Sequence, residues 1–227
     1  MTDREEILAR FGSLKKKLNE ASGKWGGVEI LPVTKTVSAE RIQYLREAGV
    51  QEIGENRVQE AMEKHAALKE DFAIRIIGRM QTNKAKYVAG FAKSVDSLDR
   101  IELAEALEKA MAKADRQLEV LIEVNIGNDP AKGGIRPEDT MAFIKNLKAY
   151  EHLSVRGLMT VAPIVSEPEE ARVYFRNMRR LFEEARQHDG NIDVLSMGMS
   201  KDCFVAAEEG ATVVRVGSGI FGARVYA

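Results

Sequence analysis

Cysteine is nearly absent. Cys203 is the only one in 227 residues, so the chain can close no internal disulfide and build no thiolate zinc cluster, and it suits a reducing cytosol. Histidine is almost as scarce: His65, His152 and His188 fall in three separate segments, which argues against a histidine metal centre and against a Ser-His-Asp nucleophile system. An excess of either charge is also missing. With 34 Lys plus Arg against 35 Asp plus Glu, the formal net charge is -1, a balance that gives no general attraction to nucleic acid or to an anionic bilayer. No apolar run approaches the roughly 20 residues that a membrane-spanning helix requires, and Met1-Thr-Asp-Arg-Glu-Glu6 lacks the apolar core of a signal peptide. No low-complexity stretch or Gly-, Ser- or Pro-rich linker divides the chain. These absences lead us to expect a soluble, cytoplasmic protein, a single domain over residues 1–227, monomeric and without metal, nucleic acid or membrane as partner.

What is present is periodicity. Thr2 and Glu5 have the spacing of a capping box, and Ile7, Leu8, Phe11, Leu14 and Leu18 follow at helical intervals until Gly23. Apolar runs then recur at about 28–34, 50–54, 72–77, 93–96, 118–125, 153–159, 192–196 and 212–216. Amphipathic segments separate them, clearest at 98–114 and 167–187 and weaker at 39–48, 56–69, 81–89, 137–149 and 200–208. Strict alternation of strand and helix implies parallel strands joined by right-handed crossovers, hence a doubly wound sheet or a closed barrel. Eight strands in about 200 residues favour an α/β (β/α)8 TIM barrel with an extra N-terminal helix. Pro32, inside the first strand, must cost that strand a ladder donor.

In such a barrel the reactive face is the mouth at the C-terminal ends of the strands. Lys35 ends the first strand, sharing a face with Leu31 and Val33. Pointing inward, it would sit over packed aliphatics, where burial lowers an amine pKa and makes lysine a nucleophile able to form a Schiff base; the alternative is a lysine reaching past the rim to water. On the last strand Arg215 shares a face with Val213 and Gly217. A guanidinium in the mouth needs acceptors from a carboxylate or a ligand, since leaving it unpaired costs several kcal/mol. Gly217 to Gly222 matches G-x-G-x-x-G, but the dinucleotide fingerprint needs a further helix and strand, with an acidic residue about twenty positions on. A small-residue loop after the eighth strand suits phosphate held by backbone N–H groups instead. Ser200, at the end of the seventh strand, is placed to cap the next helical segment and offer its hydroxyl to the same anion, or to be an ordinary N-cap. Glu123 and Arg156, on consecutive strands, are expected to pair structurally.

A reactive lysine, an arginine and a phosphate cradle describe a ligand with an aldehyde at one end and a phosphate at the other. Pyridoxal phosphate fits, its pyridine nitrogen toward Arg215, its phosphate on Ser200, Gly217 and Ser218, and its aldehyde at Lys35. A sugar-phosphate aldolase using a Schiff-base lysine fits too.

Leu31-Pro-Val-Thr-Lys35, Ile53-Gly-Glu-Asn-Arg-Val-Gln-Glu60, Ile77-Gly-Arg-Met-Gln-Thr-Asn-Lys84, Gly157-Leu-Met-Thr160, Leu195-Ser-Met-Gly-Met-Ser-Lys-Asp202 and Val214-Arg-Val-Gly-Ser-Gly-Ile-Phe-Gly222, in that order and across nearly the whole chain, resemble the pyridoxal phosphate homeostasis protein family, single-domain relatives of the alanine racemase barrel. The resemblance implies that Lys35 carries the cofactor as an internal aldimine, that Arg215 faces the pyridine nitrogen, that Ser200, Gly217 and Ser218 hold the phosphate, and that Asn56 lies near the ring. Two departures touch local loop detail: Arg75-Ile76 stands where the family usually has His-Phe, and Pro130-Ala131 where a more acidic loop is usual. An arginine beside the pyridine nitrogen disfavours its protonation and weakens the ring as an electron sink. Racemases on this barrel tolerate that arrangement but add a second base with help from a further β-domain, for which no residues remain here. The expectation is therefore a carrier in vitamin B6 homeostasis that contacts recipient enzymes transiently and has no catalytic residues of its own. The rival is a small racemase whose base comes from Tyr44, Lys84 or a partner chain.

Overall fold

The computed structural model describes residues 1–69 and 71–222. Helix α1 (Asp3–Ala21) opens with the expected box: the Thr2 hydroxyl accepts from the Glu5 N–H, and the Glu5 carboxylate accepts from the Thr2 N–H at 2.8 Å. Eight strands follow, β1 (Glu29–Pro32), β2 (Glu52–Glu55), β3 (Ala73–Ile76), β4 (Ala92–Leu98), β5 (Leu118–Glu123), β6 (Leu153–Met159), β7 (Val194–Met199) and β8 (Val213–Val216). Between and after them lie α2 (Ala39–Gln43), α3 (Val58–Leu68), α4 (Ala85–Val88), α5 (Ile101–Ala114), α6 (Thr140–Leu147), α7 (Arg172–His188), α8 (Cys203–Glu208) and α9 (Ser218–Phe221). The helical stretch expected over 200–208 begins only at Cys203, and the 39–48, 81–89 and 137–149 stretches each include a 3₁₀ turn. The short α9 is too brief to leave a periodic signal.

All ladder pairs are parallel, in the order β1-β8-β7-β6-β5-β4-β3-β2. A bridge from Val33 to Gly54 joins the two ends and closes a (β/α)8 barrel. Pro32 explains why this seam is thin. The N–H groups of Glu29 and Val33 donate to Thr212 and Val216 on the β8 side, so even-numbered residues of β1 turn toward β2. Thr34 N–H does reach the Gly54 carbonyl at 3.1 Å, but Pro32 has no N–H to give.

Alternation along the strands sorts the core. Val120, Ile122 and Val124 of β5 and its extension are fully buried against the helical layer, while Leu31, Gly54, Arg75, Asp96, Glu123 and Arg215 face the lumen. A Cβ on Gly54 would meet the Leu31 side chain at 3.2 Å, which places both inside. Arg75 thus belongs to the lumen rather than to a loop: its guanidinium donates to Asp96 at 2.7 Å, with Glu52 at 3.3 Å. Burial works against that guanidinium, but Asp96 and Glu52 outweigh it and raise its pKa. Among the described residues no helix is long and apolar enough to cross a membrane.

Gly157 marks the tightest strand contact. A Cβ there would lie 1.8 Å from the Val194 carbonyl oxygen, a backbone atom that cannot step aside. Gly157→Ala is therefore expected to cost more than about 3 kcal/mol, read as a lower denaturation midpoint, or to yield no folded protein.

Candidate functional site

The C-terminal ends of β1 and β8 form one rim. Leu31 pairs with Arg215 and Pro32 with Val216, so the residues just beyond, Lys35 on one side and Gly217 and Ser218 on the other, leave adjacent strands about 5 Å apart. Lys35 is half-buried, and among the described residues no carboxylate forms a salt bridge with it. Ser200 comes to the same place from β7. It does not cap α8, since Asp202 precedes that helix and accepts instead from the Met199 N–H at 2.6 Å. Its hydroxyl accepts from the Gly217 N–H at 3.4 Å, tying the seventh and eighth loops together. A bulge makes this reach possible: between Ser196 and Met199 the register against β8 slips, and Gly198 takes φ of 90°, where a Cβ would strike Ala206 at 2.5 Å. Ser218 and Gly219 open α9, so their N–H groups have no partner within the helix.

Arg215 is 4 % exposed. Its acceptors within the chain do not include the carboxylate that was one of the two expectations. The Ser196 hydroxyl and the Thr160 carbonyl each take one N–H at 2.7 Å, two neutral groups for a fork of five donors. Burial pushes this guanidinium below its ordinary value, against the pull of Asp96 and Glu123. Asn56 follows β2 with its Oδ1 buried and unpartnered, its backbone pressed so close to Gly78 that a Cβ there would lie 2.4 Å from the Asn56 carbonyl.

Glu123 does not pair with Arg156. The β5–β6 register slips just where Arg156 stands, and that guanidinium bonds to Asp193 at 2.5 Å and Glu119 at 3.5 Å. Glu123 instead ends β5 on the lumen side, with a buried Oε2 that lacks a partner. It lines a cavity of about 200 Å³ with Asn125, Lys132 and Val161. Burial, reinforced by Asp99, pushes its carboxyl above the ordinary glutamate value. A second cavity, about 270 Å³, opens at the opposite end among Lys15, Glu29, Glu52 and Arg75, the face where such barrels carry stability rather than chemistry. The three histidines lie elsewhere: His65 stacks on Phe91 at 5.3 Å, His152 bonds to Glu108, and His188 ends α7.

Behind the rim is a cluster that the sequence reading passed over. Lys64 of α3 is buried, 7 % exposed, and donates to the Thr34 carbonyl at 2.6 Å, to Glu55 at 2.5 Å and to Glu60 at 2.7 Å. Burial opposes ionisation of Glu60, but Lys64 and the Thr36 N–H outweigh it and hold its carboxyl below the ordinary value. Glu60 and Lys64 do stand one helical turn apart in the sequence, yet that spacing reads equally as a surface pair.

The model of the alanine racemase N-terminal domain matches residues 10–225. A pyridoxal phosphate homeostasis protein of Aquifex aeolicus is 41% identical over 97% of this chain and 98% of its own length. The chain belongs to the pyridoxal phosphate homeostasis protein family. Among solved structures, PipY of Synechococcus elongatus PCC7942 with PLP bound has a TM-score of 0.84 at 32% identity, covering 95% of this chain and 100% of that one. Alanine racemase of Clostridium difficile 630 shares the fold at 13% identity, with a TM-score of 0.79, and this chain spans 56% of its length. The polar atoms at the family's mouth in this chain suit such a ligand. Among the described residues Asn56 Oδ1 and Glu123 Oε2 have no partner, Arg215 has donors to spare, and the small-residue loop offers N–H groups.

The Glu123 carboxyl yields a pH prediction. Because its folded-state value is raised, its contribution is fully present below the ordinary glutamate value and is lost as pH rises through the folded value. Glu123→Gln, neutral throughout, should gain melting temperature relative to the ligand-free parent as pH increases from about 4 to 8. A difference that stays constant across that range would contradict the assignment.

Proposed function

We propose that this protein binds pyridoxal 5′-phosphate covalently at Lys35 and serves in the homeostasis and delivery of that cofactor, without turnover of its own. The observation that carries the reading is the β1–β8 register, by which the segments following the two strands, one with Lys35 and the other with Gly217 and Ser218, leave the barrel at one rim. When bound, the cofactor supplies an aldehyde to an amine and, in enzymes, an electron sink. The chain's own residues do the rest. Ser200 and Ser218 hydroxyls and the free N–H groups at the start of α9 would hold the phosphate, a doubly charged anion. Arg215 would direct a guanidinium N–H to the pyridine nitrogen, and Asn56 would lie beside the ring.

Arg215 is held so as to weaken the ring as an electron sink, and what separates a carrier from a racemase is then the second base. The hydrogen-bond acceptors of Arg215, Ser196 and the Thr160 carbonyl, are neutral, so its positive charge stays beside the ring nitrogen and discourages protonation there. The candidate second bases are engaged elsewhere. Tyr44 donates to Glu40 at 3.3 Å near α1, and the Lys84 ammonium lies 5.5 Å from the Tyr87 ring centroid. The relatives' naming as homeostasis proteins and the PLP-bound PipY structure support the same reading.

Purified protein should be yellow and its Lys35→Ala variant colourless; borohydride reduction should fix the added mass on the peptide containing Lys35. Equal colour in both would sink the linkage at Lys35. Incubation with single enantiomers of several amino acids should show no inversion, whereas turnover at ordinary enzymatic rates, about 1 s⁻¹ or faster, would establish the racemase alternative. Colourless protein that traps a sugar phosphate under borohydride would establish the aldolase.

A further inference from the structure

The segment carrying Lys35 is held in a conformation that its own residues disfavour. Val37 N–H donates to the Thr34 carbonyl at 2.9 Å, closing a four-residue turn with Lys35 and Thr36 at its centre. Thr36 has φ of 64°, a left-handed value that a turn usually reserves for Gly or Asn and that a β-branched residue rarely adopts. Contacts outside the turn must hold it there.

They come from the cluster behind the rim. The Thr36 N–H donates to Glu60 Oε1 at 2.6 Å. On the other side of Lys35, the Thr34 hydroxyl donates to Glu55 at 2.5 Å and the Thr34 carbonyl accepts from Lys64 at 2.6 Å. Lys64 itself is saturated, its three N–H donors matched by Thr34, Glu55 and Glu60, so it has none left for an aldehyde. Both neighbours of Lys35 are thus tied outward to α3 and β2. Lys35, between them, is half-buried and among the described residues makes no bond to that cluster.

We propose that Glu60 and Lys64 are positioning residues for Lys35, clamping the Thr34–Val37 turn in its left-handed form so that the Lys35 amine meets an aldehyde seated on the Gly217 loop. The inference rests on the reading of Lys35 as the point of attachment. In that step the lysine nitrogen bonds to the aldehyde carbon, the aldehyde oxygen leaves as water with two protons from the amine, and nothing is oxidised or reduced. A turn free to relax would present the nitrogen in many directions, and misplacement by about 1 Å is enough to slow a bond-forming step.

The test uses the full chain stripped of bound aldehyde. Glu60→Ala removes the acceptor for the Thr36 N–H, and Glu60→Gln removes the charge but keeps an acceptor oxygen. The rate of C=N formation is followed by visible absorbance with pyridoxal 5′-phosphate and with pyridoxal, which has no phosphate. Affinity for 4′-deoxypyridoxine 5′-phosphate, which has ring and phosphate but no aldehyde, reports on the cradle alone. Glu60→Ala should slow C=N formation about tenfold or more with both aldehydes, leave affinity for the deoxy analogue within about twofold, and be rescued by Glu60→Gln to within about threefold of the parent rate.

A parent rate in Glu60→Ala overturns the proposal. So does a matching loss of analogue affinity, or a Glu60→Gln variant as slow as Glu60→Ala. Should Glu60→Ala fail to fold, Glu60→Asp keeps the charge while withdrawing the acceptor, and must show the same slowing; the parent rate in it is equally fatal. C=N formation that persists in Lys35→Ala overturns the cofactor reading itself, whereas formation confined to Lys35 with Glu60→Ala unimpaired overturns only the clamp.

Discussion

The contact between the first strand and the last is the constraint from which the mouth derives. Strands β1 and β8 are nearly the full chain apart in sequence, yet Leu31 pairs with Arg215 and the Val33 N–H closes on the Val216 carbonyl. A parallel ladder has one register that keeps both apolar faces buried, and here that register also determines which residues leave the two strands side by side. The segments that carry Lys35 and Gly217 leave the barrel at the same rim because Ile30 pairs with Val214. The seam on the other side of β1 is thinner, a single bridge beside a proline, so β8 does most of the work of holding the lysine strand.

Charge inside the barrel is organised in two tiers. Deep in the lumen Arg75 is compensated by two carboxylates, Asp96 and Glu52, which take three of its five N–H donors. Above it Arg215 is bonded to a hydroxyl and a carbonyl, and Glu123 has an oxygen with no partner. Groups that are fully satisfied rigidify a structure, whereas groups left short of partners in a buried place are costly unless something else supplies them. The contrast between the two tiers separates a charge-compensated layer of the lumen from one short of protein partners. A third charged cluster, Glu55, Lys64 and Glu60, lies on the far side of the strands and touches the turn of residues 34–37 through its backbone and the Thr34 hydroxyl.

Much of this was legible before the fold was known, because periodicity carries it. Alternating apolar runs announced eight strands and amphipathic spacing announced the longer helices, both consequences of side-chain direction in regular backbone. The same alternation placed Arg215 with Val213, both buried on β8, but it overreached for Lys35, which lies past the end of β1 in the turn of residues 34–37. What it mistook were pairings that depend on register or on irregular backbone. Glu123 and Arg156 lie on consecutive strands, but one slip in the β5–β6 ladder sends them to different partners. Ser200 looked like a helix cap, and a bulge at Gly198 turned it toward Gly217 instead.

Taken by itself, the chain of residues determined the class of fold and the order of its strands and longer helices, since both follow from local spacing and residue type. Tertiary structure alone decided who serves whom. Lys64 reads as one more helical lysine until α3 packs against β2 and buries it on two carboxylates and the Thr34 carbonyl. Nothing local requires Thr36 to adopt a left-handed backbone either. That conformation exists because contacts distant in sequence are stronger together than the preference of one residue, a balance that only a folded chain can set.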